Sequence, residues 1–95
     1  MISLFGRKSL SAKEAYEIAK KHNPGMMAII CVEYEKYWCF NMIPKSCGGG
    51  YADSCTRMVS KRTGRYRLVP LGSRYWPTEP PIRIIEGKHP GEIEL

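Results

Sequence analysis

Residues 59–69 read VSKRTGRYRLV and set four cations, Lys61, Arg62, Arg65 and Arg67, around a Thr63-Gly64 pair. With Arg57 before it and Arg74 after it, the segment from Ser54 to Thr78 holds six cations and no acid, while the rest of the chain holds nine of each sign. The whole formal excess of +6 therefore lies in one stretch. Guanidinium groups grip carboxylates and phosphates through paired hydrogen bonds, and Tyr75-Trp76 adds flat apolar surface beside them. The chemistry on offer is recognition of an anion. The candidate partner-binding residues are Arg57, Arg62, Arg65, Arg67, Arg74, Tyr75 and Trp76. The competing reading is structural: these arginines form the solvated outer side of a half-buried sheet.

Other chemistries lack their residue patterns. Cys31, Cys39, Cys47 and Cys55 are spaced eight apart, with neither a C-x-x-C nor an H-x-x-x-H pair, so no metal ligand set is expected. Cys31 and Cys39 fall in apolar runs and read as small buried side chains. Cys47 and Cys55 flank a triglycine and would close it as a disulfide in an oxidising compartment; free thiols are the expectation for a chain without a secretion signal. Gly48-Gly49-Gly50 is followed by Tyr-Ala-Asp rather than Lys-Ser/Thr, so it is no Walker loop. His22 sits at a helix end, where its charge suits the dipole, His89 lies in the tail, and Glu33 and Glu35 read as a solvated rim. No catalytic residue and no cofactor is expected.

The elements that must position the arginines follow from capping, periodicity and breakers. Ser11-Ala-Lys-Glu14 is a capping box, Ala12, Ala15, Ile18, Ala19 and His22 recur at helical spacing, and Asn23-Pro24-Gly25 ends the run, which predicts a helix over about 12–22. MMAIICVEY and YWCFNMI around Glu35-Lys36 predict a hairpin, with Met26, Ala28, Ile30 and Val32 on one face of the first strand and Trp38, Phe40 and Met42 on one face of the second. Residues 44–53 form a connection without regular structure. A second hairpin, 55–60 and 65–71, turns at 61–64, where Gly64 supplies the positive φ that a tight turn demands. Alternation places Arg65, Arg67 and Val69 outward, with Arg57 beside them if the register allows, and Met58, Tyr66 and Leu68 toward the core. After Gly72 come four prolines and one apolar run, Ile82–Ile85, an edge strand or a strap; the end, EGKHPGEIEL, is expected to be loose.

Ninety-five residues make a single domain, 1–95, of α+β class: one N-terminal helix packed on a four- to five-stranded antiparallel sheet over about 26–71, then a Pro-rich strap and tail over 72–95. No apolar run of membrane-spanning length and no secretion signal are present, so a cytoplasmic protein with no membrane partner is expected.

Glu14, Ala15, Ile18, Ala19, Pro24, Gly25, Thr63 and Gly64 stand where the PepSY-type α+β module has its helix, the helix stop and its TG turn. Over about sixty residues, 11–69, the chain resembles that module, and equally the small YrhB-like immunity domains. It departs from PepSY members in lacking an export segment and in carrying Lys61-Arg62 where an acid is common. Both resemblances imply a compact, non-catalytic binding or inhibitory module, and small size, no catalytic constellation and a one-sided cationic surface point to an inhibitor of the immunity or phage counter-defence kind. Its partner would be an acidic or nucleic-acid-binding protein; the alternative is direct binding of RNA or DNA by the same surface.

Overall fold

The computed structural model describes residues 9–47, 55–88 and 91–95. One helix, α1 (Ala12–His22), precedes five strands: β1 (Met26–Glu33), β2 (Tyr37–Pro44), β3 (Cys55–Ser60), β4 (Tyr66–Pro70) and β5 (Arg83–Glu86). The sheet has the order β4-β3-β2-β1-β5, and every neighbouring pair is antiparallel. A four-stranded meander is thus closed by a fifth strand that returns to lie beside the first, a Greek-key-like path. The α+β class is as expected, with five strands.

The capping box is formed in both directions: the Glu14 amide donates to Ser11 Oγ at 3.2 Å, and the Ser11 amide donates to Glu14 Oε1 at 2.8 Å. At the other end Asn23 Nδ2 donates to the Ala19 carbonyl, and Gly25 takes φ +79°. The helix buries Ala15, Tyr16 and Ala19 against the sheet. Tyr16 was not on the expected stripe, whereas His22 is exposed and stacks on Tyr66, ring centres 4.0 Å apart. The buried face is centred one position away because Tyr16 reaches across the sheet to Phe40, at 5.3 Å.

A bulge corrects the expected facing of β1. Ala28 pairs with Met42 but Ile30 with Asn41, so Ile29 is an inserted residue. Ala28 and Cys31 therefore face the helix, and Ile30 and Val32 turn to the opposite side. On β2, Trp38, Phe40 and Met42 do share the helix side, in a core completed by Ala15, Tyr16, Ala19, Ala28, Cys31 and Val59. Each fully buried large side chain there contributes about 1.5–3 kcal/mol of apolar transfer.

The opposite face is covered too. Because β4 and β5 lie at opposite edges, residues 71–82 must cross the sheet between them, and they cross the side away from α1: Tyr37 Oη donates to Glu79 at 2.7 Å, and Arg67 packs on Tyr75. Cys39, Ile43, Thr56 and Val69 on this side are almost fully buried. The core candidates on the second hairpin are corrected accordingly: Val59 and Val69 are fully buried, Met58 and Tyr66 half-buried, and Leu68 is 49% exposed, since it lies on the helix side of an edge strand.

The described part of the tail, 86–88 and 91–95, is not loose either. Ile93 is 5% exposed within the core, its amide donates to the Ala28 carbonyl at 2.9 Å, and the Gly87 amide donates to that of Ile29. The tail thus occupies the edge of β1 that the bulge leaves beyond the reach of β5. Tyr16 Oη ties these parts together, accepting from the Ala28 amide at 2.8 Å and donating to Glu92. Of the connection expected over 44–53, Pro44 ends β2 and Lys45–Cys47 form one turn of 3-10 helix; residues 48–54, with the triglycine, lie outside the described residues.

Candidate functional site

The six cations of the basic segment divide into two groups. Arg57 pairs with Leu68, on the helix side, and is 6% exposed. Its Nε donates to Asn23 Oδ1 at 3.3 Å, joining β3 to the helix cap. The expectation that it shares a surface with Arg65 and Arg67 is overturned by register: Met58, not Arg57, stands opposite Arg67. Lys61 is 8% exposed, 2.7 Å from Glu33 Oε2 and 5.0 Å above the Trp38 ring centre, while Arg83 Nε lies 3.3 Å from the other Glu33 oxygen. Glu33 is accordingly the hub of an ion triad, largely desolvated on the Lys61 side and open to solvent at Arg83, rather than a solvated rim residue.

The remaining four, Arg62, Arg65, Arg67 and Arg74, are exposed. Arg62 sits in the 61–64 turn. Ser60 Oγ accepts from the Arg62 and Thr63 amides, and the Gly64 amide returns to the Ser60 carbonyl at 2.9 Å. Gly64 has φ +76°, a backbone conformation that selects glycine, and a Cβ there would come 3.3 Å from Ile18 Cδ1, which would have to give by a few tenths of an ångström. The turn thereby pins the strand that carries Arg65 and Arg67.

Arg67 and Arg74 converge on Tyr75. Their guanidinium carbons lie 4.2 and 5.2 Å from its ring centre, within cation–π range, and Arg74 Nη2 donates to Tyr75 Oη at 3.3 Å. The Arg74 guanidinium first, and Arg67 beside it, hold the Tyr75 hydroxyl below the usual tyrosine range. Tyr75 is placed by a short turn in which its amide donates to Ser73 Oγ and the Trp76 amide to the Ser73 carbonyl. Trp76 is half-buried, an anchor of the strap more than a contact surface.

Beside this cluster lies a groove of about 230 Å³, lined by Lys36, Tyr37, Met58, Ser60, Arg65 and Arg67. Across the strands Tyr37 pairs with Ser60, whose amide bonds the Arg65 carbonyl, and Met58 pairs with Arg67, so the groove runs over three adjacent strands on the strap side. Among the described residues no carboxylate lies within ion-pair distance of Lys36, Arg65 or Arg67. A second hollow of about 500 Å³ adjoins it, sharing Lys36 and Ser60 and reaching Arg62. Lys36, Tyr37, Met58 and Ser60 were not named as site residues from the sequence, Met58 being read as a core candidate. The signal was present in the order of hairpins: adjacent meander strands bring the 34–36 and 61–64 turns to one end of the sheet.

The thiols of Cys31 and Cys39 lie on opposite sides of the sheet, and burial pushes each up to about 12. Both are reduced and inert as nucleophiles at neutral pH. His22 Nδ1 donates to the Ile18 carbonyl at 3.0 Å while the ring stacks on Tyr66, which accounts for it structurally. Among the described residues no helix is long and apolar enough to cross a membrane. Compared with protein-family models, with curated proteins and with solved structures, the chain matches none.

Proposed function

We propose that this protein is a small non-catalytic binding module that docks the Arg65, Arg67, Arg74 and Tyr75 end of its sheet on an acidic face of a macromolecular partner and blocks it. Its small size, its lack of an expected catalytic constellation and its one-sided cationic surface suit an immunity-type or phage counter-defence inhibitor. The observation that carries the reading is the gathering of Arg67 and Arg74 on one exposed tyrosine. Two exposed cations held on one ring leave a local excess of positive charge. A partner carboxylate placed against them neutralises part of it and gains charge-assisted hydrogen bonds. Of the seven candidate residues, Arg65, Arg67, Arg74 and Tyr75 form this surface, with Arg62 at its rim; Arg57 belongs to the core and Trp76 to the strap.

Direct binding of nucleic acid is disfavoured by the same geometry, because a stacking platform needs an open aromatic face and Tyr75 already carries guanidinium groups. Affinity capture from lysate, with and without nuclease, tests the choice. A stoichiometric protein partner that survives nuclease supports docking. Recovery of nucleic acid alone, with a log-log salt slope of roughly −3 to −5, refutes it.

A further inference from the structure

We propose that the groove lined by Lys36, Tyr37, Met58, Ser60, Arg65 and Arg67 is a socket for a phosphomonoester borne on an apolar stem, presented by the docked partner. This rests on the reading of the surrounding surface as a docking face and adds the chemistry of what enters it.

Three features carry the assignment. The first is charge stoichiometry. Three cations line one concavity without a carboxylate at ion-pair distance among the described residues. Glu79, bonded to Tyr37 Oη and close enough to Lys36 to feel its charge, offsets one of the three, and a phosphomonoester, with close to two charges near neutral pH and three acceptor oxygens, matches the other two. The second is the arrangement of lining groups. Arg65, immediately before β4, and Arg67, its second residue, both line the groove, with Lys36 coming from the turn before Tyr37. Donors thus surround the hollow, as a compact terminal phosphate needs and a diester chain passing over it does not. Met58 and the Tyr37 ring supply an apolar floor and wall for the carbon stem.

The third is that the walls are already fixed. Tyr37 Oη is held by Glu79 at 2.7 Å, Arg67 is held by Tyr75 at 4.2 Å, and both holders belong to the strap. Ser60 is fixed by the turn hydrogen bonds to its side chain. The strap therefore does more than close the sheet. It braces the two sides of the groove, so little side-chain freedom is lost when a ligand enters.

Phenyl phosphate is the probe, because it joins the dianionic head to an apolar stem; benzoate offers the stem with one charge, and inorganic phosphate the head alone. Titrated against the 15N-labelled protein at low salt, phenyl phosphate is expected to saturate, with its largest amide shifts at Ser60, Arg65 and Arg67. It should bind at least about tenfold more tightly than benzoate and also more tightly than inorganic phosphate. Its affinity should rise between about pH 5 and 7.5, as the second phosphate proton leaves. Lys36→Ala and Arg65→Ala, both at exposed positions, should each weaken it roughly fivefold or more with unchanged thermal melts.

Equal affinity for benzoate, no saturable shift, or an affinity indifferent to both substitutions overturns the proposal. So does an oligonucleotide without a terminal phosphate that displaces phenyl phosphate. If the socket fails while a nuclease-resistant protein partner is still captured, the docking face stands and only its phosphate chemistry is wrong. If phenyl phosphate binds as described and no protein partner is captured, the docking reading is what fails.

Discussion

Removing one oxygen from Tyr16 tests how the bulge, the helix and the tail are joined. Ala28 is fully buried, and its amide has the Tyr16 hydroxyl as its acceptor at 2.8 Å. In Tyr16→Phe the ring keeps its stacking on Phe40 and the cover of Lys20, whose Nζ lies 4.7 Å from the ring centre. The substitution therefore isolates the hydroxyl. An amide left without a partner in the core costs about 1–3 kcal/mol, and in a domain of this size each kcal/mol is worth about 4–8 °C of melting temperature. Glu92, which accepts from the hydroxyl on its other side, is exposed, so water can replace it as the acceptor. Glu92→Ala should cost less than about 1 kcal/mol. Urea unfolding of the two single variants and the double variant gives the comparison, provided that the slopes agree. A Tyr16→Phe loss below about 0.5 kcal/mol, or equal losses in the two single variants, would refute the view that the hydroxyl serves the bulge.

Three further outcomes follow from the geometry. A Cβ on Gly87 would lie 2.2 Å from the Gly91 carbonyl oxygen, so Gly87→Ala should lift the tail, and the amide of Ile93 should exchange with solvent much faster than that of Phe40. Lys61→Met should cost about 1–3 kcal/mol, less than for a fully isolated buried pair because Arg83 remains 3.3 Å from Glu33; most of the loss should return in a Glu33→Gln background, read by a double-mutant cycle. The thiols of Cys31 and Cys39, raised from 9.0 to about 12 by burial, keep their protons in the folded state after the unfolded chain has lost them. Their contribution is therefore complete below about pH 9 and is lost as pH rises from 9 to 12, so unfolding free energy should fall over that window, with help from Tyr16, Tyr34 and Tyr37, which shift the same way. Cys31→Ala and Cys39→Ala should flatten the fall; an unchanged slope would show that the thiols do not titrate with unfolding.

How much of this was legible depends on whether a signal is local. The helix could be read to its end residues because the Ser11/Glu14 box and Asn23-Pro24-Gly25 act within one turn of where they stand. The Thr63-Gly64 turn was equally plain, since a positive φ selects glycine regardless of what lies far away. The bulge at Ile29 was not, because MMAIICV is apolar throughout and shows no alternation whose phase could break. That uninterrupted run, with Trp38, Cys39 and Phe40 all buried in succession, is the mark of a sheet covered on both sides. The second cover is the strap 71–82, legible as a Pro-rich strap but not as to the face it covers until the strand order obliges it to cross the sheet. The same non-local fact decides the site: Arg57 leaves the surface and Lys36 joins it through strand register and hairpin order, neither of which is written in the composition of the basic segment.

The docking surface is tested most directly by the double variant Arg67→Ala/Arg74→Ala. Both side chains are exposed and lose only surface cation–π contacts with Tyr75, so the double variant should stay folded, with a melting temperature no more than about 10 °C below that of the parent protein. Its capture of the nuclease-resistant partner should weaken by at least about tenfold, and the association rate should lose most of its dependence on salt. Undiminished capture by a folded double variant would contradict the assignment of this surface as the site of docking.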